Sequence, residues 1–505
     1  MKNYRIKVLV IDLEYPRYEI NEPINVDTIL DSFDDYVCDH VTFFVWYRTM
    51  GDSKPRDPKE YDIILISTKI GSFHILEKLL ETFSGKNIII GGMLATFAHE
   101  AILKRYSDVI LSMGECECNL NSILKFFIEK NDLDYVKKNL ISHRITGVSF
   151  VDNKQSIYCS PIEPYDLSVI KKPLKHRALK ETLQKKGLVR VEGSRGCPWN
   201  QCAFCCVDWR YGCGKWREFP IERTVEEITY LAENGVNNIY FTDEDFVANS
   251  RHFFSLFSEI KRLRKENVIS KDLTFWGSTS VYTLNRFGEK GLNDFLSISA
   301  ECNIDVLFIG IESGCNEQLK RYSKGVTKEK NYEILKVLRD SGINVDVGFI
   351  MFDAETSLFE VKENLEFCIS AELNKTISRL AKPLRIIPHT KLAIYYDEAD
   401  LLIGSLKEDD LIYPYKFKDH KVQVLFDSLN YLHTVIPDKA IRLQSDVRMK
   451  KKYNDIDYID ELLKQRNYEL EFIKRYTDIF LKKDIDNTIL DKLLCDTIQN
   501  IIQHK

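Results

Sequence analysis

Four of the thirteen cysteines, Cys197, Cys202, Cys205 and Cys206, fall in one short stretch, Val191 to Trp209, VEGSRGCPWNQCAFCCVDW. Thiolates this closely spaced are soft-metal ligands or disulfide partners, and the redox compartment decides which. A structural zinc site commonly uses two short pairs separated by a longer loop. Here the pattern is one compact triplet, C-x4-C-x2-C, without an evident second pair. Cys206, next to Cys205, and Cys213 further on leave open a zinc site that draws on them. Three thiolates on a 4Fe-4S cluster would instead leave one iron free to bind a substrate or cofactor.

Composition favours a metal over disulfides. The N-terminus, MKNYRIKVLVIDLE, enters a strand pattern with charges on both sides and lacks the apolar core of a secretory signal. No window approaches the ~20 apolar residues of a membrane span. The expectation is a protein of the reducing cytoplasm with no membrane association. Cys38, Cys159, Cys302, Cys368 and Cys495, outside the loop, are then expected to be buried small apolar residues. The 505 residues are enough for two to four domains, and 44% hydrophobic with 29% charged residues is ordinary for a soluble protein. A net charge of −5 argues against a polyanion binder. The basic runs Lys171 to Lys186 and Arg448 to Lys452 lack interleaved aromatics and read as solvated faces, so no nucleic-acid partner is expected.

The elements that must position this loop come in two alternating series. In the first, Lys7–Ile11, Asp62–Ser67, Asn87–Gly92 and Asp108–Leu111 read as near-continuous apolar strands, with helices at Phe73 to Phe83 and Thr96 to Arg105 between them. That pattern predicts a flavodoxin-like α/β domain over 1–132, a parallel sheet covered on both faces that binds ligands beyond its strands' carboxyl ends. His74 and His99 fall on helices and read as surface or capping residues. A connector, 133–186, holds a small hairpin at Ile145–Phe150 and prolines at 161, 164 and 173.

The second series, 187–399, starts at Leu188–Val191 and continues with strands at Val236–Phe241, Leu273–Thr279, Val306–Ser313, Val345–Phe352 and about Leu384–Ile387. Helices at Ile221 to Asn234, His252 to Glu266, Asn293 to Cys302, Lys328 to Ser341 and Ser357 to Ile369 separate them. Parallel barrels carry their chemistry at the carboxyl ends of strands, which draws attention to Asp243-Glu244-Asp245, Ser278, Gly310-Ile311-Glu312-Ser313 and Arg385. From Asp400 to the end the pattern is helical.

The loop resembles that of the radical S-adenosylmethionine (SAM) superfamily, whose C-x3-C-x2-C motif has an aromatic residue before its third cysteine, as in Ala203-Phe204-Cys205. The lead-in Ser194-Arg195-Gly196-Cys197-Pro198 is similar to that of the superfamily's cobalamin-domain branch. This chain departs in having four residues, Pro198 to Gln201, between the first two cysteines. The resemblance implies a partial (β/α)6 TIM-type barrel, with Cys197, Cys202 and Cys205 holding a 4Fe-4S cluster, Phe204 against the adenine of SAM, and Cys206 as a packed thiol. It further implies that Asp243, Glu244 and Glu312 contact SAM, with Ser278 and Arg385 as weaker candidates. A second resemblance, of Ile90-Gly91-Gly92, His99-Glu100, Asp108-Val109-Ile110 and Gly114-Glu115-Cys116-Glu117 to the branch's cobalamin-binding domain, implies that Ser67, Gly91 and Gly92 line a slot for the corrin's nucleotide tail. The loop Asp12 to Asn21 contains no histidine, so any cobalamin would bind without one on cobalt. A sheet kept as scaffold alone stays open beside this.

The activity implied is reductive cleavage of SAM to a 5′-deoxyadenosyl radical. An electron donor such as flavodoxin or ferredoxin would supply the electron. The radical would serve cobalamin-dependent methylation, or another modification, of an unactivated carbon in a small-molecule or peptide substrate. A tRNA-modifying methylthiotransferase is an alternative that would need a second cysteine triplet; Cys38, Cys116 and Cys118 are too unevenly placed to form one. A zinc-stabilised binding protein is another.

Overall fold

Strand formation in the first sheet follows from apolar runs that find helices on both faces. The computed structural model describes residues 5–13, 20–52, 54, 56–375, 383–435 and 456–503. Ile6–Asp12 (β1), Val41–Tyr47 (β2), Ile63–Thr68 (β3), Asn87–Gly92 (β4) and Val109–Ser112 (β5) lie parallel in the order β2-β1-β3-β4-β5. Leu9, Ile11, Ile64, Ile66, Ile88 and Ile90 point to one core, while Val8, Val10, Ile63, Leu65 and Ile89 point to the other. The edge strand β2 is absent from the pattern read in the sequence, because the helix Asp35–His40 runs straight into it without a turn residue. Val148–Val151 (β6) and Ile157–Cys159 (β7) form the expected hairpin, and it extends the sheet antiparallel along the β5 edge. The first sheet therefore runs on past residue 132.

In the second sheet Val189–Val191 (β8) is followed by the short antiparallel pair Ser194–Arg195 (β9) and Arg217–Glu218 (β10). Asn238–Phe241 (β11), Thr274–Ser280 (β12), Ile304–Glu312 (β13) and Asn344–Phe349 (β14) complete the parallel order β8-β11-β12-β13-β14. Val189, Val191, Ile239, Phe241, Phe275, Leu307, Ile309, Val345 and Val347 enter the core beneath the outer helices. Their alternates, Arg190, Tyr240, Ser278, Phe308 and Gly348, take the concave face. The sixth unit expected at Leu384–Ile387 is reduced to single bridges, Phe352 to Pro383 and Ile386 to Tyr413, since a proline cannot donate to a ladder.

The C-terminal region is helical over 420–435, 456–480 and 487–503, and Val422, Leu425, Phe472 and Tyr476 join the barrel's core. The basic run Arg448 to Lys452 lies outside the described residues, as does part of the Asp12 to Asn21 loop. Among the described residues no helix is long and apolar enough to cross a membrane.

Several contacts tie the parts together. Ile162, Cys206, Trp209, Ile387 and Leu411 pack with one core of the first sheet. Asp409 accepts from the backbone N–H of Phe73 at 2.7 Å, filling the N-terminus of the helix Phe73–Thr82, and its carboxylate meets His74 Nδ1 at 3.0 Å. His176 is fully buried between Glu22 (3.0 Å) and Glu227 (3.3 Å), and Arg223 reaches Glu227 at 3.2 Å. His99 is buried rather than on the surface, with its Nδ1 unpartnered. The outlying cysteines divide: Cys302 and Cys368 are buried as expected, but Cys38, Cys159 and Cys495 are exposed. Cys159 lies on the sheet's outermost strand.

Candidate active site

The cysteine loop leaves β9 at Gly196, whose φ is +91°. A Cβ there would lie 2.3 Å from the Lys215 carbonyl oxygen, so the turn requires glycine. The loop is then pinned by its backbone: Cys197 N–H to Gly214 O (3.1 Å), Ala203 N–H to Tyr322 O (2.9 Å), Leu392 N–H to Ala203 O (2.9 Å), and Cys205 N–H to Cys202 O (3.1 Å). The additional residue between the first two cysteines is absorbed by Asn200 in a left-handed conformation, φ +48°. Trp199 anchors the bulge; its indole N–H donates to Ser323 O at 2.7 Å and its ring meets Tyr282 at 4.2 Å between centroids.

Burial pushes the thiols of Cys197, Cys202 and Cys205 up, that of Cys202 to about 11, and each of the later two feels the charge of its predecessors. Three half-buried thiols on one loop that resist ionisation suit a cationic group that would compensate their charge. Among the described residues no three His, Cys, Asp or Glu side chains converge on a single metal-ion position. Three thiols carried on one loop are a donor set that fits a 4Fe-4S cluster. Cys206 instead turns toward the first sheet's core. Phe204 packs edge-to-face on Tyr322 at 5.5 Å.

The acidic run after β11 braces the loop. Asp243, buried, accepts from Gly193 N–H (2.9 Å) and Ser194 Oγ (2.5 Å); burial raises it to about 8 despite those bonds. Glu244 accepts from Gly196 N–H (3.0 Å), Tyr211 Oη (2.7 Å) and Arg210 (3.1 Å). Asp245 is spent on Thr279, Ser280 and Thr283, and burial lifts it to about 6.

Glu312 ends β13 at a register shift and holds φ +66°, a strained value for a residue with a side chain. Its Oε1 meets Lys324 Nζ at 2.9 Å, with side chains 14% and 7% exposed. Burial disfavours the Lys324 charge, yet Glu312 and the thiols of Cys202 and Cys197 hold its pKa above the ordinary lysine value. The structure thus brings Cys197, Cys202, Glu312 and Lys324 into one electrostatic neighbourhood at the carboxyl rim of the barrel. Lys324 escaped the sequence reading; its signal is the S-K-G turn that follows G-I-E-S by one short helix. Ser278 lies half-buried on the concave face. Arg385 stands apart, exposed and donating to Asp410 O at 2.6 Å.

Ser67, Gly91 and Gly92 lie together on the first sheet, Ser67 opposite Gly91 and Thr68 opposite Gly92. Asn25 donates to Ser67 Oγ at 2.8 Å. Gly92, at φ +86°, could not carry a Cβ, which would sit 2.3 Å from the Thr68 carbonyl oxygen.

Residues 191–368 match the model of the radical SAM superfamily. The chain is 28% identical over 370 residues to 4′-phospho-dehydrooxetanocin synthase of Priestia megaterium, covering 69% of this chain and 46% of that protein. The chain spans about half the length of the curated relatives it matches. Among solved structures it is similar to the cobalamin-dependent SAM radical enzyme OxsB in its apo form, with TM-score 0.76, 19% identity, and coverage of 93% of this chain and 72% of that one. It is also similar to the radical SAM methyltransferase TsrM of Kitasatospora setae with cobalamin and a [4Fe-4S] cluster bound, with TM-score 0.63, 15% identity, and coverage of 78% and 75%. With the loop, the parallel half-barrel and the preceding sheet in that order, residues 191–368 form a radical SAM domain, and the chain shares the fold of cobalamin-dependent radical SAM enzymes.

Proposed function

We propose that the chain is an enzyme that reductively cleaves SAM and, with cobalamin, methylates or otherwise modifies an unactivated carbon of a small molecule or peptide. The observation that carries this reading is the buried Glu312–Lys324 pair beside Cys197 and Cys202. The Priestia megaterium synthase and a hopanoid C-3 methylase of Methylococcus capsulatus, 27% identical over 176 residues, support it as relatives. Cys197, Cys202 and Cys205 would hold a 4Fe-4S cluster, which with SAM would supply one-electron radical chemistry, and cobalamin would supply a transferable methyl group.

The chain's own residues bind, orient and shield. An α-amino acid presents an ammonium and a carboxylate on one carbon, and Glu312 and Lys324 offer the opposite charges 2.9 Å apart. Glu312 accepts from the methionyl ammonium and Lys324 donates to the carboxylate. Asp243 and Glu244 act through the loop backbone, which they fix. Phe204 and Ser278 complete the SAM-facing set, and Ser67, Gly91 and Gly92 admit the corrin's tail close to backbone. The Tyr322 and Leu392 backbone contacts hold the loop in place. Flavodoxin or ferredoxin in a reducing cytoplasm supplies the electron.

Anaerobic reconstitution tests this. The expected product is brown, holds iron, sulfide and corrin, and forms 5′-deoxyadenosine from SAM and dithionite. A colourless, sulfide-free zinc protein refutes the reading, and a SAM-cleaving protein without corrin removes methyl transfer. Cys197→Ala is expected to lose the cluster and Cys206→Ala to keep it; the reverse displaces the ligand set.

A further inference from the structure

Two motifs, the Gly114–Glu117 turn of the first sheet and the Ser194–Arg195 lead-in to the cysteine loop, meet in the structure and have no part in the assignments above. Arg195 is buried, its side chain 6% exposed. Its Nη1 donates to Glu115 Oε1 at 2.5 Å, and its Nη2 to Glu117 Oε1 and Glu192 Oε2, each at 2.9 Å. The other oxygen of Glu115 accepts from Arg217 Nη1 at 2.9 Å and from the Tyr165 N–H at 2.8 Å. Three carboxylates and two guanidiniums from the end of the first sheet and from the barrel, with the Tyr165 backbone between them, thus form one connected network. Burial works against the Arg195 charge, and the surrounding carboxylates hold its pKa well above the usual arginine value.

The two ends of this network touch different sites. The Gly114–Glu117 turn follows β5, whose Ser112 pairs with Gly91, and Gly114 N–H donates to Thr96 Oγ1 at 3.1 Å. Arg195 pairs with Arg217 across β9 and β10 and stands two residues before Cys197. A buried guanidinium engaged by three carboxylates cannot follow a shift of either side without leaving a charge unpaired. The turn bordering Gly91 and Gly92 and the start of the cysteine loop are therefore held in one register.

We propose that Arg195 is a positioning residue, one that fixes the cysteine loop to the end of the first sheet through Glu115 and Glu117. Placement of Cys197 then depends on the turn that borders the first sheet's glycine cradle. The inference rests on the proposed function in taking this loop as the cluster's seat, but the register itself is measurable without any cofactor.

The experiment is alkylation of the full apo chain with iodoacetamide, with each cysteine followed by mass spectrometry. In Glu117→Gln and Arg195→Met, modification of Cys197 and Cys202 is expected to quicken by at least ~10-fold, the shift that loss of one charge-assisted hydrogen bond produces. Buried Cys302 and Cys368 keep their wild-type rates, and Arg195→Lys recovers part of the protection at Cys197. After reconstitution, Glu117→Gln binds SAM more weakly than wild type. Wild-type rates at Cys197 in folded Glu117→Gln, or equal acceleration at all four cysteines, overturn the proposal. Should Arg195→Met not fold, Glu117→Gln decides, since it leaves Glu115 and Glu192 on the guanidinium. A wild-type chain that takes up no iron or sulfide removes the radical reading while the alkylation pattern still judges Arg195.

Discussion

Removing either member of the Glu312–Lys324 pair perturbs both the apo protein and its proposed ligand, and the two effects separate. At 2.9 Å and an effective dielectric of ~20, opposite unit charges attract by roughly 6 kcal/mol before desolvation is subtracted. With side chains only 14% and 7% exposed, truncating one partner strands the other, at a cost of ~3–5 kcal/mol. Lys324→Met and Glu312→Gln are each expected to lower the apo chain's denaturation midpoint, while the double variant, which leaves no stranded charge, recovers much of the loss. SAM binding follows a different order. Each single variant loses one charge-assisted contact worth ~1.5–3 kcal/mol, a weakening of roughly 10- to 150-fold. The double variant loses both contacts and binds more weakly still despite its recovered stability. Equilibrium dialysis with reconstituted protein and denaturant unfolding of the apo chain give the two readouts. Wild-type SAM affinity in both single variants, or a double variant no more stable than the worse single, refutes the reasoning.

Two further outcomes follow from the site's packing. Asp243 binds its proton more tightly folded (pKa about 8) than unfolded (3.8), so its contribution to stability is present at low pH and declines as pH rises between those values. Asp243→Asn, uncharged throughout, is expected to lose that decline, seen as a flatter change in the apo chain's urea midpoint from mildly acidic to mildly alkaline buffer; parallel profiles refute it. Gly92→Ala, which would set a Cβ 2.3 Å from the Thr68 carbonyl, is expected to cost about 2–4 kcal/mol from left-handed strain and overpacking. It should lose corrin uptake and keep iron and sulfide; an unchanged unfolding midpoint refutes the close approach.

What was legible in the sequence was local. The C-x4-C-x2-C spacing, the apolar strands and the polar residues closing them are properties of neighbours along the chain, and the five paired barrel strands stand where those signals place them. Contacts made across the fold were not legible. Lys324 reads as one lysine among many until a short helix carries it back over Gly310 to Glu312. Glu115, Glu117 and Arg195 sit in recognisable motifs, but nothing in their spacing shows that they pair with each other. Asp243 and Glu244 read as free acceptors at a strand end, whereas each is engaged by the loop it supports. β2 was hidden by the helix abutting it, and the sixth barrel unit was overestimated because Pro383 removes a donor that the apolar pattern cannot register.

The sealed Glu22–His176–Glu227 contact has a consequence for how the molecule comes apart. With two anionic partners outweighing burial, the imidazole's pKa stands at about 10, so it remains a cation throughout the physiological range and acts as a permanent rivet rather than a pH valve. Its jaws belong to the first sheet's leading segment and to an outer helix of the barrel. Parting the two takes from His176 one of its two anionic partners, which couples the loosening of one to the other.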